Sequence, residues 1–295
     1  MSVLHTLRLV ALGSVALAAL AAAPAFAQTG GVRVEHAAAR VVVIAEPRGD
    51  YAISIDQGRA GLRPLTLRKD GGVTVVDGGY GGNFGLFHMG WDNLNCKGGW
   101  DHDPRVAIPG RGDVALRDLP VVTIHAPLNA RIGGSGAVYG EVNTTKSLDL
   151  SNSGCGDWRI GDVQGPLSIA MSGSGDVRGG SSGDAHIAIS GSSDIVLGAV
   201  NGRLDTHTSG SGDIHTASAR GGIQTRIAGS GNVVVDGGEA PDVGVSIAGS
   251  GDFRFHGTAG AVKVSIAGSG DVDIARATGP VSKHVAGSGD VNIGR

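Results

Sequence analysis

Three things are scarce in this chain: apolar runs, cysteine, and charge of one sign. Past residue 27 no apolar stretch approaches the roughly 20 residues that a membrane-spanning helix needs, which excludes a helical membrane protein. Two cysteines are too few for a disulfide-dense scaffold. Charge is nearly balanced, with 24 Lys+Arg against 27 Asp+Glu. That balance argues against nucleic acid or an anionic membrane as partner. Aromatics make up only 4% of the chain, and five of the eleven fall in one stretch, residues 78–105.

The first 27 residues read as a Sec-type signal peptide. Arg8 supplies the positive charge, Leu9 to Ala22 form an apolar stretch, and Ala25-Phe26-Ala27 is a small-residue cleavage signal. Gln28 follows the cleavage point rather than a cysteine, so no lipid anchor is expected. Removing the leader takes Arg8 and no acid, leaving 23 basic against 27 acidic residues, a net charge of −4. A periplasmic or secreted protein is expected, not membrane-spanning.

Glycine is abundant, with 53 residues. In helices each would cost roughly 1 kcal/mol relative to Ala, whereas turn-rich β structure uses glycine's access to positive φ. The glycines carry a repeat. Gly-Ser-Gly-Asp returns about every 19 residues, and its last position is held by Ala137, Asp157, Asp176, Asp194, Asp213, Asn232, Asp252, Asp271 and Asp290. So steady a period means one backbone unit stacked on itself.

Around each corner apolar and polar residues alternate, as in Val262-Lys263-Val264-Ser265-Ile266 before Gly268 and Val272-Asp273-Ile274 after Asp271. Period-2 alternation marks strands with one buried face. The links between units are too short for crossover helices. The pattern predicts an all-β fold, a parallel β-solenoid of roughly eight 19-residue coils, right-handed, about 40 Å long at 4.8 Å per coil.

The predicted interior takes Ile223, Thr225 and Ile227, then Val243, Val245 and Ile247, then Val262, Val264 and Ile266. Across the corner it takes Val233 and Val235, Phe253 and Phe255, Val272 and Ile274. The coil with Leu204, Thr206 and Thr208 has a more polar interior. Lys283 falls at an inward position near the end. The unfinished last coil leaves a sheet edge on which another copy could pair, so self-association through this C-terminal edge is one expected contact.

Three regions follow: the leader 1–27, an irregular β region 28–131 with the aromatic insert 78–105, and regular repeats 132–295. In the middle region Val41–Ile44, Tyr51–Ile55, Val73–Val76 and Val121–His125 read as strands that begin and cap the solenoid. The insert holds Tyr80, Phe84, Phe87, Trp91 and Trp100. It reads either as a flap packed over a sheet face, the favoured reading, or as a contact loop built on Phe84, Phe87, Trp91 and Trp100.

The run Val122–Leu128 into Ile132-Gly133-Gly134-Ser135-Gly136, followed by Gly-Ser-Gly-Asp coils, resembles the auto-transporter adhesin head family, the GIN domain. The resemblance implies a secreted or envelope β-helix without established enzymatic activity, and it carries over no catalytic residues. No translocator barrel is expected after the repeats, so the chain is expected to depart from a self-displaying adhesin.

Cys96 and Cys155 read as a disulfide in an oxidising compartment. Closing a loop of about 60 residues would contribute roughly 3–4 kcal/mol. The alternative is two free thiols. Stacking sets the corner residues Asp157, Asp176, Asp194, Asp213, Asn232, Asp252, Asp271 and Asp290 in a ladder, where like charges about 4.8 Å apart repel by roughly 1 kcal/mol per pair in water. Either each side chain accepts backbone N–H bonds in its own turn, which Asn232 favours, or cations bind along the ladder.

His88, Asp92, His102 and Asp103 match no standard zinc spacing, so no metal is assigned. Arg48-Gly49-Asp50 and Arg111-Gly112-Asp113 are chance tripeptides. Gly179-Gly180-Ser181-Ser182-Gly183 fits a nucleophile-elbow pattern without its strand-to-helix context. The expected function is a non-enzymatic envelope or extracellular solenoid offering an interaction surface, with no cofactor and an unknown glycan or protein partner. The alternatives are a carbohydrate-active β-helix enzyme and a cation-dependent glycan-binding module.

Overall fold

The computed structural model describes residues 30–81 and 94–294. The leader, Phe84, Phe87, His88, Trp91 and Asp92 lie outside the described residues. The chain is a parallel β-solenoid, as the period predicts, with about nine turns where roughly eight are expected from the sequence, and one short 3-10 turn, Leu116–Asp118, is its only helical element among the described residues.

Coils stack in register. Leu148–Leu150 pair with Leu167–Ile169, these with Ala185–Ile187, and so on through Leu204, Ile223, Val243 and Val262 to Val281. Parallel pairing at constant register puts every inward residue over its counterpart. Val243, Val245, Ile247, Val262, Val264 and Ile266 are all 4% exposed or less, and Phe253, Phe255 and Ile274 are fully buried. At roughly 25 cal/mol per Å² such aliphatic columns supply the main stabilisation.

The second corner is less of a break than the pattern suggests. Phe253–Gly268 runs as one strand through Thr258-Ala259-Gly260. A column of changing size also escapes the periodicity. Trp158 is fully buried where later coils place Val177 and Ile195. Its partner in the coil before is Gly140, where a Cβ would lie 2.1 Å from the indole. Glycine there makes room for the largest side chain of the core.

The middle threonines do face inward. Thr206, Thr208, Thr216 and Thr225 are 1% exposed or less. Thr206 Oγ1 donates to Thr225 Oγ1 at 3.0 Å, while the hydroxyls of Thr208 and Thr216 have no partner among the described residues.

Towards the N-terminus, Gly31–Glu46 lies parallel to Asn129–Val142 and joins the stack. A bend at His36, with φ 50°, lets its two halves pair separately, with Val73–Asp77 and Val121–Pro127. Direction then reverses. Ala52–Asp56 is antiparallel to Val121–Pro127, and Thr66–Asp70 is antiparallel to Val73–Asp77. Tyr51, Ile53 and Ile55 close over the aliphatic core. Exposed Thr66–Asp70 carries Arg68, Lys69 and Asp70, and charge at an edge deters further pairing.

Candidate interaction surface

The glycines of the corner are set by the distance between coils. At Gly154, Gly173, Gly191, Gly210, Gly229, Gly249, Gly268 and Gly287 a Cβ would fall 1.9–2.3 Å from the carbonyl oxygen of the equivalent residue one coil earlier. Backbone therefore lies directly on backbone, and only glycine permits it.

This packing positions the ladder, and here the structure corrects the expectation. The carboxylates do not accept from their own turns. Each but the last, Asp290, accepts the backbone N–H of its successor one coil on. Asp176 N–H donates to Asp157 Oδ1 (3.1 Å), Asp194 to Asp176 (2.9 Å), Asp213 to Asp194 (2.9 Å) and Asn232 to Asp213 (2.7 Å). Asp252, Asp271 and Asp290 continue the series on Asn232, Asp252 and Asp271 at 2.8–3.0 Å. The reason is geometric: parallel stacking brings the next coil's amide over the carboxylate, and the tight Gly corner leaves that amide without a carbonyl partner.

A charge-assisted bond of this kind offsets the repulsion between successive carboxylates. The repulsion still registers at Asp176. Burial chiefly, then Asp157 and Asp194 beside it, hold its carboxyl above the usual range, against the Asp194 N–H. Asn232 serves because only its oxygen is needed. We expect Asp213→Ala to lower stability by about 1–2 kcal/mol and Asp213→Asn to stay within about 0.5 kcal/mol of the parent. Urea unfolding of the two variants checks this. Equal losses would show that the accepted hydrogen bond is not what the ladder contributes.

A second set was not read from the sequence. Asp162 Oδ1 accepts Ser181 N–H at 2.7 Å and Asp184 Oδ1 accepts Arg203 N–H at 2.7 Å. These residues sit at the other corner, where no fixed motif flags them.

The insert is a flap in its described part. Asn95–Lys97, Arg105–Ile108 and Gly112–Ala115 form a separate antiparallel sheet that reaches beyond residue 105. Val106, Ile108, Leu116 and Leu119 pack with Tyr80, Ala137 and Tyr139 in a second apolar cluster on the outside of the first coils. Cys96 and Cys155 are bonded, with Cα atoms 5.8 Å apart.

Trp100, expected among the contact residues, is instead spent on the flap. Its indole N–H donates to the Asp157 carbonyl (3.2 Å), its ring meets Tyr139 edge-on at 5.8 Å, and the Arg159 guanidinium covers it at 5.0 Å. Asp101 bridges Arg159 and Arg178, and the Arg178 hydrogen bond holds its carboxyl below the ordinary range. Burial pushes the Tyr139 hydroxyl up, and that hydroxyl donates to the Gly98 carbonyl at 3.3 Å.

Between flap and corners runs a groove of about 580 Å³, lined by His36, Tyr80, Leu94, Ser135, Cys155 and Ser174 among others. His102 and Asp103 are not gathered with other ligands. Among the described residues no three His, Cys, Asp or Glu side chains are placed to hold a metal ion.

The broad sheet, the stack of strands from Ser147–Asn152 through Leu167–Met171 to Val281–Gly287, offers the other surface. Its outward residues form straight columns, such as His207, Arg226, Ser246, Ser265 and His284. One carboxylate there lies between a histidine and an arginine. Asp205 lies 3.8 Å from His186 and 3.5 Å from Arg226. The Asp205 carboxylate beside it raises the His186 pKa, and His186 in turn lowers that of Asp205.

Residues 215–294 match the family model described as putative auto-transporter adhesin, head GIN domain. The resemblance read from the coil motif is borne out over these residues, which lie wholly within the regular coils. No curated protein matches the chain. No helix among the described residues is long and apolar enough to cross a membrane.

Proposed function

We propose that this protein is a non-enzymatic β-solenoid, carried across the inner membrane by its leader, that presents a stiff surface to an envelope or extracellular glycan or protein. The observation that carries the reading is the unbroken register of the broad sheet. It holds outward side chains such as Arg226, Ser246 and Ser265 in columns at a fixed repeat. A repeating polymer meets an outward side chain at an equivalent position in every coil of such a face, and many weak contacts add without ordering the protein further. The adhesin-like description of the matching family is in keeping with this role.

The test is binding of the whole chain to isolated envelope polysaccharides and envelope protein fractions. We expect retention on one of them, and at least a tenfold loss in the double variant Ser246→Glu/Ser265→Glu, whose side chains are exposed. Asp273→Lys, on the other side of the corner, should bind as the parent does. Release of a soluble product from any polysaccharide would replace this reading with the carbohydrate-active one. Retention that the double variant leaves unchanged would move the contact off this face.

A further inference from the structure

Val281–Gly287 is the outermost strand of the broad sheet. One edge pairs with Phe253–Gly268, placing Val281 on Val262, Lys283 on Val264 and Val285 on Ile266. The other edge pairs with no strand among the described residues. All seven residues are exposed, and Val281 and Val285 remain 43% and 38% accessible. Free backbone groups flanked by exposed valines form a template on which a further strand can add.

One residue contradicts that invitation. The inward column that ends at Lys283 reads Leu150, Ile169, Ile187, Thr206, Thr225, Val245 and Val264. Every one of these is buried and none is charged. Lys283 alone carries an ammonium, and it makes no ion pair among the described residues. With the edge open, Lys283 is exposed and its charge reaches water. A strand laid on this edge closes the coil over it. An ammonium buried without a counter-ion costs more than a few added strand contacts return. The same strand of a second copy, Val-Ser-Lys-His-Val-Ala-Gly, brings no carboxylate to neutralise it.

We propose that Lys283 guards this edge and prevents a second copy of the chain from adding to it. An inward-pointing charge on an otherwise competent strand is a recognised means of blocking edge-to-edge association. The expectation that the edge promotes self-association is thereby reversed: it pairs only once the charge is removed.

Sedimentation of the whole chain against Lys283→Val tests it. Valine continues the column of Val245 and Val264, so the variant should keep the β-type circular dichroism spectrum and melt no lower than the parent. It should associate at least tenfold more tightly, equivalent to about 1.4 kcal/mol. Lys283→Glu, which keeps a charge at the inward position, should sediment as the parent does. So should Ser282→Val, which adds the same apolar side chain on the outward face. The proposal fails if Lys283→Val and the parent sediment alike across the accessible concentration range. It fails equally if the parent already associates and Lys283→Glu does so too.

Discussion

Gly173→Ala should be among the most damaging single substitutions in this protein, although it adds one methyl group near the surface. That methyl would lie 1.9 Å from the Gly154 carbonyl oxygen and 2.8 Å from its carbon. Both atoms are backbone in the neighbouring coil, and that coil is pinned in turn by Gly136 beneath it. Relief therefore requires adjacent coils to part at the corner. Parting breaks the Ser174 N–H to Gly154 carbonyl bond and loosens the stacking on both sides. A cost of about 3 kcal/mol or more is expected, at or beyond the upper range for overpacking. The control is Gly49→Ala, whose added carbon meets nothing within 4 Å. Chemical unfolding of both, followed by circular dichroism, reads the difference. Similar midpoints would mean that the coils are not in backbone contact.

The second large effect belongs to the disulfide. Cys96 and Cys155 are 59 residues apart, and tying ends so distant restrains the unfolded chain by about 4 kcal/mol on the chain-entropy account. The double variant Cys96→Ser/Cys155→Ser is a fair test because serine is the residue found at the Cys155 position in most other corners, including Ser174, Ser211 and Ser230. The flap keeps Trp100, Asp101 and Tyr139 as anchors, so the folded spectrum should persist while the unfolding midpoint falls. Dithiothreitol should lower the parent's midpoint to that of the double variant and leave the variant untouched. A parent indifferent to reductant would place the flap's stability wholly in its side-chain contacts.

The regular coils were legible because period and alternation act together. A period of 19 sets the corner, and alternation on each side assigns every side chain a face. Ile247 and Val264 are therefore assigned to the interior by the pattern alone, and both are buried. The ladder residues were found by the same route, but not their partners. An acceptor bond within one turn and one reaching the next coil require the same Asp, so sequence cannot distinguish them. The flap's sheet was missed for another reason. Its strands are three or four residues long, too short for alternation to register. Trp100 illustrates the limit for function. An aromatic residue in an insert reads equally as a contact or as a rivet, and only Asp157, Tyr139 and Arg159 around it decide for the rivet.

The inward threonines divide the rod. Laps on either side of them hold one another through tightly packed hydrocarbon, whereas the Thr206–Thr225 boundary offers fewer methyl groups and two hydroxyls with nothing to bond. A linear stack comes apart where the grip between adjacent laps is weakest. Under heat or tension this molecule should thus open first near its middle, giving an amino-terminal block fastened by the flap and a carboxy-terminal block holding most of the segment that matches the adhesin-head model. A molecule of this build under load would then lengthen stepwise before it fails.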